Sequence, residues 1–176
     1  MLKEIKERYK DSFPAGCTAQ LENMETNLLH YLHFSSEDAL ELGTEIIRQA
    51  KSYGEDIAVR IIRCQDSLVI FQCIGNSLAE RNLTFAMAKY NTVIKTGHCS
   101  LWALAQEETE GGMEEVFSEN SECLPAGGAF PVFVGSTMAA VITTSGLHYG
   151  KDHEVVVKAL CKLQSKPMPA FDGVLA

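Results

Sequence analysis

The chain has 176 residues, of which 46% are hydrophobic and 22% charged, a composition typical of one soluble globular domain. No apolar stretch approaches the roughly 20 residues of a membrane-spanning helix, and the first ten residues alternate charges, so we expect no membrane partner and no secretory signal. The net charge of −8 comes from residues 107–122, which hold seven glutamates and no Lys or Arg. Since no basic cluster exists to neutralise phosphates, we expect no nucleic acid partner.

The first 34 residues are predicted to form an N-terminal helical appendage. Leu21, Met24, Leu28 and Leu32 recur at helical spacing, which predicts an amphipathic helix packed on the body of the protein or on a neighbouring subunit. Residues 29–34 are alternatively a short edge strand, and the pattern does not decide between the two.

Residues 35–165 are predicted to form the main domain. Ser35 and Asp38 have the spacing of a capping box and predict a helix over about 36–53. Two β-branched and aromatic runs follow at 57–64 and 68–73, and the short polar link between them predicts a β-hairpin.

A long helix is predicted over about 78–95, where residues 77–80 repeat the capping signature. Gly97 either kinks this helix or ends it before a second piece that runs through Leu104. A second hairpin is predicted from 130–134 and 138–144, and Asp152 is expected to cap a final helix. Residues 166–176 then form a C-terminal tail.

Hairpins require antiparallel neighbours, so this order of elements predicts an α/β fold of the α+β type. We expect an antiparallel sheet flanked by helices, in a profilin-like or PAS-like three-layer arrangement. Such a sheet can leave a concavity beneath a covering helix, which is a common place for a ligand.

The six cysteines include no Cys-x-x-Cys pair and no zinc-finger spacing, so we predict no metal site from them. Most lie among apolar residues, which favours reduced thiols in a cytoplasmic protein. Cys99, beside His98, is the thiol to test for reactivity.

Three polar groupings could carry chemistry. The first is Lys89 and Asn91, followed by Lys95, His98 and Ser100; in an unbroken helix Asn91, Lys95 and His98 share one sector, and Lys89 and Ser100 lie nearly opposite. A solvated helical face is the alternative interpretation.

The second grouping is the pair Gly127 and Gly128, which either lets the backbone approach a ligand or simply makes a turn. The third is Ser145 and Gly146 at the end of a strand, with His153 at the start of the next helix. These residues form the polar wall of a pocket, or else Asp152 is an ordinary N-cap and His153 lies on the surface.

These groupings together resemble the haem-degrading-domain family of GlcG-like and HbpS-like proteins, in its uncharacterised branch. The resemblance is carried over residues 29–163 by several separated motifs in the right order: Lys89-x-Asn91-Thr92-Val93, Gly97-His98-x-Ser100-Leu101, Gly127-Gly128-x-Phe130-Pro131, and Ser145-Gly146-Leu147 followed by Asp152-His153. The chain departs from the branch at Met87, Ala88 and Tyr90, where basic residues are usual, and at Ala126, where a histidine is usual.

The resemblance implies an α/β sandwich, a homo-oligomer and a small-molecule ligand, with haem as the possible cofactor. It places ligand-binding polar groups at Lys89, Asn91, His98, Ser100, Gly127, Gly128, Ser145, Gly146 and His153. His98 or His153 would be the iron ligand or the acid/base group.

Two alternatives stay open. The first is an enzyme acting on a small anionic metabolite, with His98 as general base and Lys89 as the anion-holding group. The second is a scaffold that binds protein partners through the N-terminal helix and the acidic segment, without catalysis.

Overall fold

Five strands form one sheet, and they are β1 (His30–Tyr31), β2 (Ala58–Arg63), β3 (Val69–Ile74), β4 (Ala129–Val134) and β5 (Thr137–Ser145). The computed structural model describes residues 1–173, with the backbone alone at Tyr149. The strand order is β1–β4–β5–β2–β3. All neighbouring pairs are antiparallel except β1 and β4, which are parallel. The predicted α/β class with an antiparallel sheet flanked by helices is therefore confirmed.

The helices within residues 1–173 are α1 (Leu2–Tyr9), α2 (Cys17–Leu28), α3 (Ser36–Ser52), α4 (Glu80–Thr96), α5 (Ser100–Thr109), α6 (Glu114–Phe117) and α7 (Tyr149–Gln164). Helices α3 and α7 pack together on one face of the sheet, and α4 covers strands β2, β4 and β5 on the other. Helix α5 follows α4 after the left-handed Gly97 and packs against α2. This brings α2 beside the turn that holds His98.

The alternation of side chains along the strands explains the two layers. Val59 and Ile61 of β2 belong to the main core beneath α3 and α7, whereas Val141 of β5 packs with Val93 of α4. Ser35 caps α3 as predicted: its hydroxyl accepts the Asp38 N–H at 3.2 Å, and its own N–H donates to the Asp38 carboxylate at 2.6 Å.

The N-terminal segment contributes to the same core. Ile5, Tyr9 and Leu21 are buried within the main cluster. Helix α2 ends at Leu28 and strand β1 follows, so the edge-strand alternative holds for residues 29–34. Leu32, which was expected on the buried helical stripe, is 97% exposed. The division into an appendage, a main domain and a tail remains a prediction.

Two expected helix caps are wrong. Helix α4 begins at Glu80, because the Ser77 hydroxyl donates to Asp56 and the Asn82 side chain accepts the Ala79 N–H instead. Helix α7 begins at Tyr149 with His148 at the N-cap position, so Asp152 lies inside the first turn. The Asp152 side chain turns into the core, which gives it a different role.

Candidate functional site

Lys89 of α4 lies fully buried, and its ammonium group is held by the start of α7. Its Nζ donates to Asp152 Oδ2 at 2.8 Å and to the Thr144 carbonyl oxygen at 2.9 Å. Asp152 Oδ1 accepts the Leu147 N–H at 3.0 Å. Burial raises the pKa of the Asp152 carboxyl, while the Lys89 charge and hydrogen bond oppose that shift. The ion pair thus joins α4, β5 and α7.

Gly128 completes this junction by allowing the chain to pass very close to it. Its φ is +122°, and a Cβ placed there would lie 2.9 Å from Lys89 Nζ and 2.8 Å from Thr144 Oγ1. The Gly128 carbonyl accepts the Thr144 N–H at 2.7 Å and its hydroxyl at 2.9 Å. Gly128, one of the predicted glycine pair, therefore approaches a buried side-chain ammonium that belongs to the protein itself.

Three further predicted site residues lie buried near this junction. The Ser100 hydroxyl donates to the Ala126 carbonyl at 2.5 Å and accepts the Ala129 N–H at 3.0 Å. Gly127 and Ser145 are buried. The Ser100 hydroxyl thus satisfies backbone atoms of the segment that leads into β4.

His153 lies in an aromatic enclosure. Its ring centroid is 4.8 Å from that of Phe130 and 6.3 Å from that of Phe171, and the residue is 4% exposed. Its Nδ1 has no hydrogen-bond partner within residues 1–173. Burial lowers the pKa of His153 to about 3, so its ring is neutral at physiological pH.

His98 occupies a different position, in the turn between α4 and α5. Its Nδ1 hydrogen-bonds Glu25 Oε2 of α2 at 2.8 Å. The other Glu25 oxygen accepts the Cys99 N–H at 2.6 Å. Since an ionised carboxylate only accepts, this geometry assigns the Nδ1 proton to His98. The hydrogen bond to Glu25 raises the pKa of His98 above its ordinary value, against the opposing effect of burial.

An open cavity of about 280 Å³ adjoins this pair. His98 and Trp102 line it and stack with ring centroids 4.0 Å apart, and Lys95, Met113 and Val116 complete much of its wall. The Trp102 indole N–H donates to Glu22 Oε1 at 2.9 Å. Two glutamates of α2 therefore fix the orientation of both rings.

The nine predicted site residues do not surround one cavity in the described part of the chain. Most lie at the buried junction or in the core, and the Gly146 turn abuts Asp56 and Leu78. His98 lines the cavity beside Trp102. Asn91 faces a separate groove along α4, where its side chain donates to the Glu122 carbonyl at 3.0 Å.

Glu25 is a side chain of the candidate site that the sequence analysis did not predict, as are Glu22 and Trp102. Glu25 falls on the buried face of α2 with Leu21, Met24 and Leu28, and it is 5% exposed. A charged residue on an otherwise apolar helical stripe indicates a buried partner, and this was the available signal.

The model of the family described as "Haem degrading protein HbpS-like" matches residues 34–161 of this chain. The chain belongs to the HbpS-like haem-degrading family. A UPF0303 protein of Streptomyces coelicolor is 30% identical over 152 residues, which cover 83% of this chain and 92% of that protein. The family predicted from the motifs is thus confirmed.

Solved structures share the HbpS-like fold. The crystal structure of Ybr137w superposes with a TM-score of 0.75 at 24% identity, over 93% of this chain and 95% of that one. A crystal structure of a PduOC:haem complex superposes with a TM-score of 0.63 at 12% identity, over 73% of this chain and 93% of that one. At these identities the likeness concerns the fold.

Two features are absent from residues 1–173 of this HbpS-like protein. No helix in this range is long and apolar enough to cross a membrane. The same range contains no group of three or more His, Cys, Asp or Glu side chains able to hold a bare metal ion.

Proposed function

We propose that this HbpS-like protein binds haem, with His98 as the iron ligand, and acts as a cytoplasmic homo-oligomer. The observation that carries the proposal is the Glu25–His98 pair at the wall of the cavity. A histidine whose Nδ1–H is held by a carboxylate presents its Nε2 lone pair, and this arrangement is typical of metal-ligating histidines.

The donor set fits iron in a porphyrin better than a bare metal ion. A porphyrin supplies four nitrogens, so the protein would need to contribute only one further ligand, as a histidine does in globins and peroxidases. His98 hydrogen-bonds Glu25 through Nδ1, and within residues 1–173 no other polar group engages its ring. Bound haem would supply redox and oxygen chemistry at its iron, and the protein would supply ligation and orientation.

The rest of the cavity suits an anionic, planar and largely apolar molecule. Trp102, Met113 and Val116 offer apolar surface, and Lys95 is a cation able to pair with a carboxylate. Lys95 Nζ lies 3.4 Å from Glu115 Oε2, in an exposed ion pair that a ligand carboxylate can replace at little cost.

Other predicted groups are unsuitable as ligands. His153 is enclosed by Phe130 and Phe171 and is 4% exposed, so its ring cannot reach iron without opening the core. Lys89 is committed to Asp152, which removes the anion-holding group that the metabolite-enzyme alternative requires. The apolar stripe of α2 is buried, which leaves the scaffold alternative with the acidic segment as its partner surface.

The size of the cavity supports the proposed homo-oligomer, and the free cysteines support the proposed cytoplasmic location. At about 280 Å³ the cavity is slightly smaller than the usual range of ligand sites, about 300–1,000 Å³, so a haem would protrude, and a second copy of the chain would cover it. All six cysteines are free, as expected in a reducing compartment.

A spectrophotometric titration with haemin tests the proposal. The wild-type protein is expected to give a saturable Soret band at one haem per chain. His98→Ala is expected to weaken binding at least about tenfold, and Glu25→Gln by about 10–100-fold because the supporting carboxylate is lost. Light scattering would show a mass that is a multiple of 19.3 kDa.

His33→Ala is the matched control, because His33 is an exposed histidine far from α5 in sequence. It is expected to titrate like the wild type. Equal weakening in His33→Ala and His98→Ala, or a wild-type protein that gives only unsaturable binding, would refute the assignment of His98. A monomer in solution with and without haemin would refute the oligomer.

A further inference from the structure

A second groove, of about 610 Å³, runs between α4 and the outer part of the sheet. It is lined by α4 residues Leu83, Met87, Ala88 and Asn91, by Arg60 of β2, and by the segment around Glu122. His98 and Trp102 do not line it, so it is separate from the proposed haem site. Its volume lies within the usual range for small-molecule sites, about 300–1,000 Å³.

Arg60 is the chemically distinctive group in this groove. It is half-buried on the face of the sheet that α4 covers, and its Nε donates to Gln72 Oε1 at 2.7 Å. Within residues 1–173 the two terminal guanidinium nitrogens make no hydrogen bond or ion pair. Arg63 of the same strand, by contrast, donates to Asp66 at 3.0 and 2.6 Å.

A guanidinium held through Nε keeps its terminal N–H groups in a fixed fork, which matches the two oxygens of a carboxylate. The hydrogen bond to Gln72 thus orients Arg60 without satisfying it. The neighbouring groove surface is apolar, because Leu83 and Met87 lie one helical turn apart on α4 and are both partly exposed.

The acidic groups of the groove restrict the charge of its occupant. Glu80 and Glu122 line it and are exposed. They would repel a molecule with several negative charges, such as a polyphosphate, more strongly than one with a single carboxylate. The N-terminal ammonium of Met1, which also lines the groove, is paired with Glu4 at 3.3 Å. Arg60 has no acidic partner within residues 1–173, so its guanidinium and the apolar wall favour an amphipathic anion, and Glu80 and Glu122 restrict that anion to a single charge.

We infer that this groove binds a small amphipathic monocarboxylate, whose carboxylate pairs with Arg60 and whose apolar body lies against Leu83 and Met87 of α4. The site does not depend on haem, and it is tested in the absence of haem. Its failure and the failure of the haem proposal are therefore distinguishable.

Isothermal titration calorimetry with sodium octanoate tests the inference on the full chain with Met1 as its first residue, because Met1 also lines the groove. The wild type is expected to bind one octanoate per chain. Arg60→Gln should weaken binding at least about tenfold, since a charge-assisted pair is lost, and octan-1-ol should bind the wild type at least about tenfold more weakly than octanoate.

Arg63→Gln is the matched control, as it removes an arginine of the same strand that already has an acidic partner; it should bind octanoate like the wild type. Leu83→Glu adds a negative charge to the groove and leaves Arg60 intact, so it should also weaken binding and serves if Arg60→Gln fails to fold. Equal affinity in Arg60→Gln and the wild type, equal affinity for the alcohol, or no binding at millimolar octanoate would overturn the inference.

Discussion

The Lys89–Asp152 and Glu25–His98 pairs each join charged or chargeable groups from distant parts of the chain, but they differ in access to solvent. Both side chains of the first pair are 1% exposed. In the second pair the Glu25 side chain is 7% exposed and the His98 side chain is 32% exposed, beside an open cavity. The first arrangement leaves no room for a ligand, whereas the second presents a ring nitrogen to one.

This difference shows that polar residues of one motif can serve opposite purposes. Lys89 and His98 lie nine positions apart, in the stretch that carries the family resemblance. Lys89 is buried by the close passage of Gly128, and His98 stays accessible because Gly97 ends α4 before it. The backbone at two glycines thus separates a structural cation from a candidate ligand.

Breaking the buried pair should have the largest effect on stability. Lys89→Met leaves Asp152 buried without its cation and is expected to lower the free energy of unfolding by about 3–5 kcal/mol, measured by urea denaturation. Arg63→Met breaks the exposed pair with Asp66, which solvent screens, and should lower the free energy of unfolding far less. Similar losses in the two variants would contradict the contrast in burial.

A larger side chain at Gly128, beside the Lys89–Asp152 pair, should have the next largest effect on stability. Gly128→Ala places a methyl group against Lys89 and Thr144 at a positive φ, and we expect a loss of about 2–4 kcal/mol from strain and overpacking. Gly111→Ala, at φ +74° with no atom within 4 Å of the new Cβ, is the control and should cost about 1–2 kcal/mol. If Gly128→Ala unfolds no more easily than Gly111→Ala, the close packing described around Gly128 is wrong.

His153 and His98 should give opposite dependences of the free energy of unfolding on pH. His153 has its pKa lowered from 6.5 to about 3, so below pH 6.5 the unfolded chain binds a proton that the folded chain does not. The free energy of unfolding should therefore fall as the pH drops from 6.5 towards 3. His153→Leu should flatten this fall between pH 6.5 and about 5, where most carboxylates stay ionised. An unchanged slope in that variant would mean that His153 is protonated in the folded state.

The effect of His98 on the pH dependence of stability should be smaller than that of His153 and opposite in sign. Its folded pKa is raised above 6.5, so the stabilisation by Glu25 is complete below about pH 6.5 and is lost as the pH rises through the raised pKa. Urea denaturation of wild type and Glu25→Gln across this window should show the fall in the wild type alone. A parallel fall in Glu25→Gln would place its cause elsewhere.

Local sequence signals predicted much of the fold. The capping box at Ser35 and the short links of both hairpins act between residues close in the chain, and each was confirmed. The pairing of β5 with β2 and the parallel pairing of β1 with β4 depend on long-range packing, which periodicity does not encode.

The candidate site was less predictable, for the same reason. Asp152 has the spacing of a helix cap, and only the arrival of Lys89 from α4 gives it another role. His98 was identified from its motif, but its partner lies 73 residues earlier, on a helix outside the segment that the family model matches. Glu25 could have been suspected from its place on an apolar stripe, but its partner could not.

Chemical rescue of a His98→Gly variant by imidazole tests the central claim most directly. If the His98 side chain ligates haem iron, the haem complex of the variant should lose the wild-type Soret maximum and regain it when imidazole is added, because free imidazole replaces the missing ligand. His33→Gly should keep the wild-type spectrum throughout. A haem complex of His98→Gly with the unaltered wild-type spectrum before imidazole is added would contradict ligation by His98.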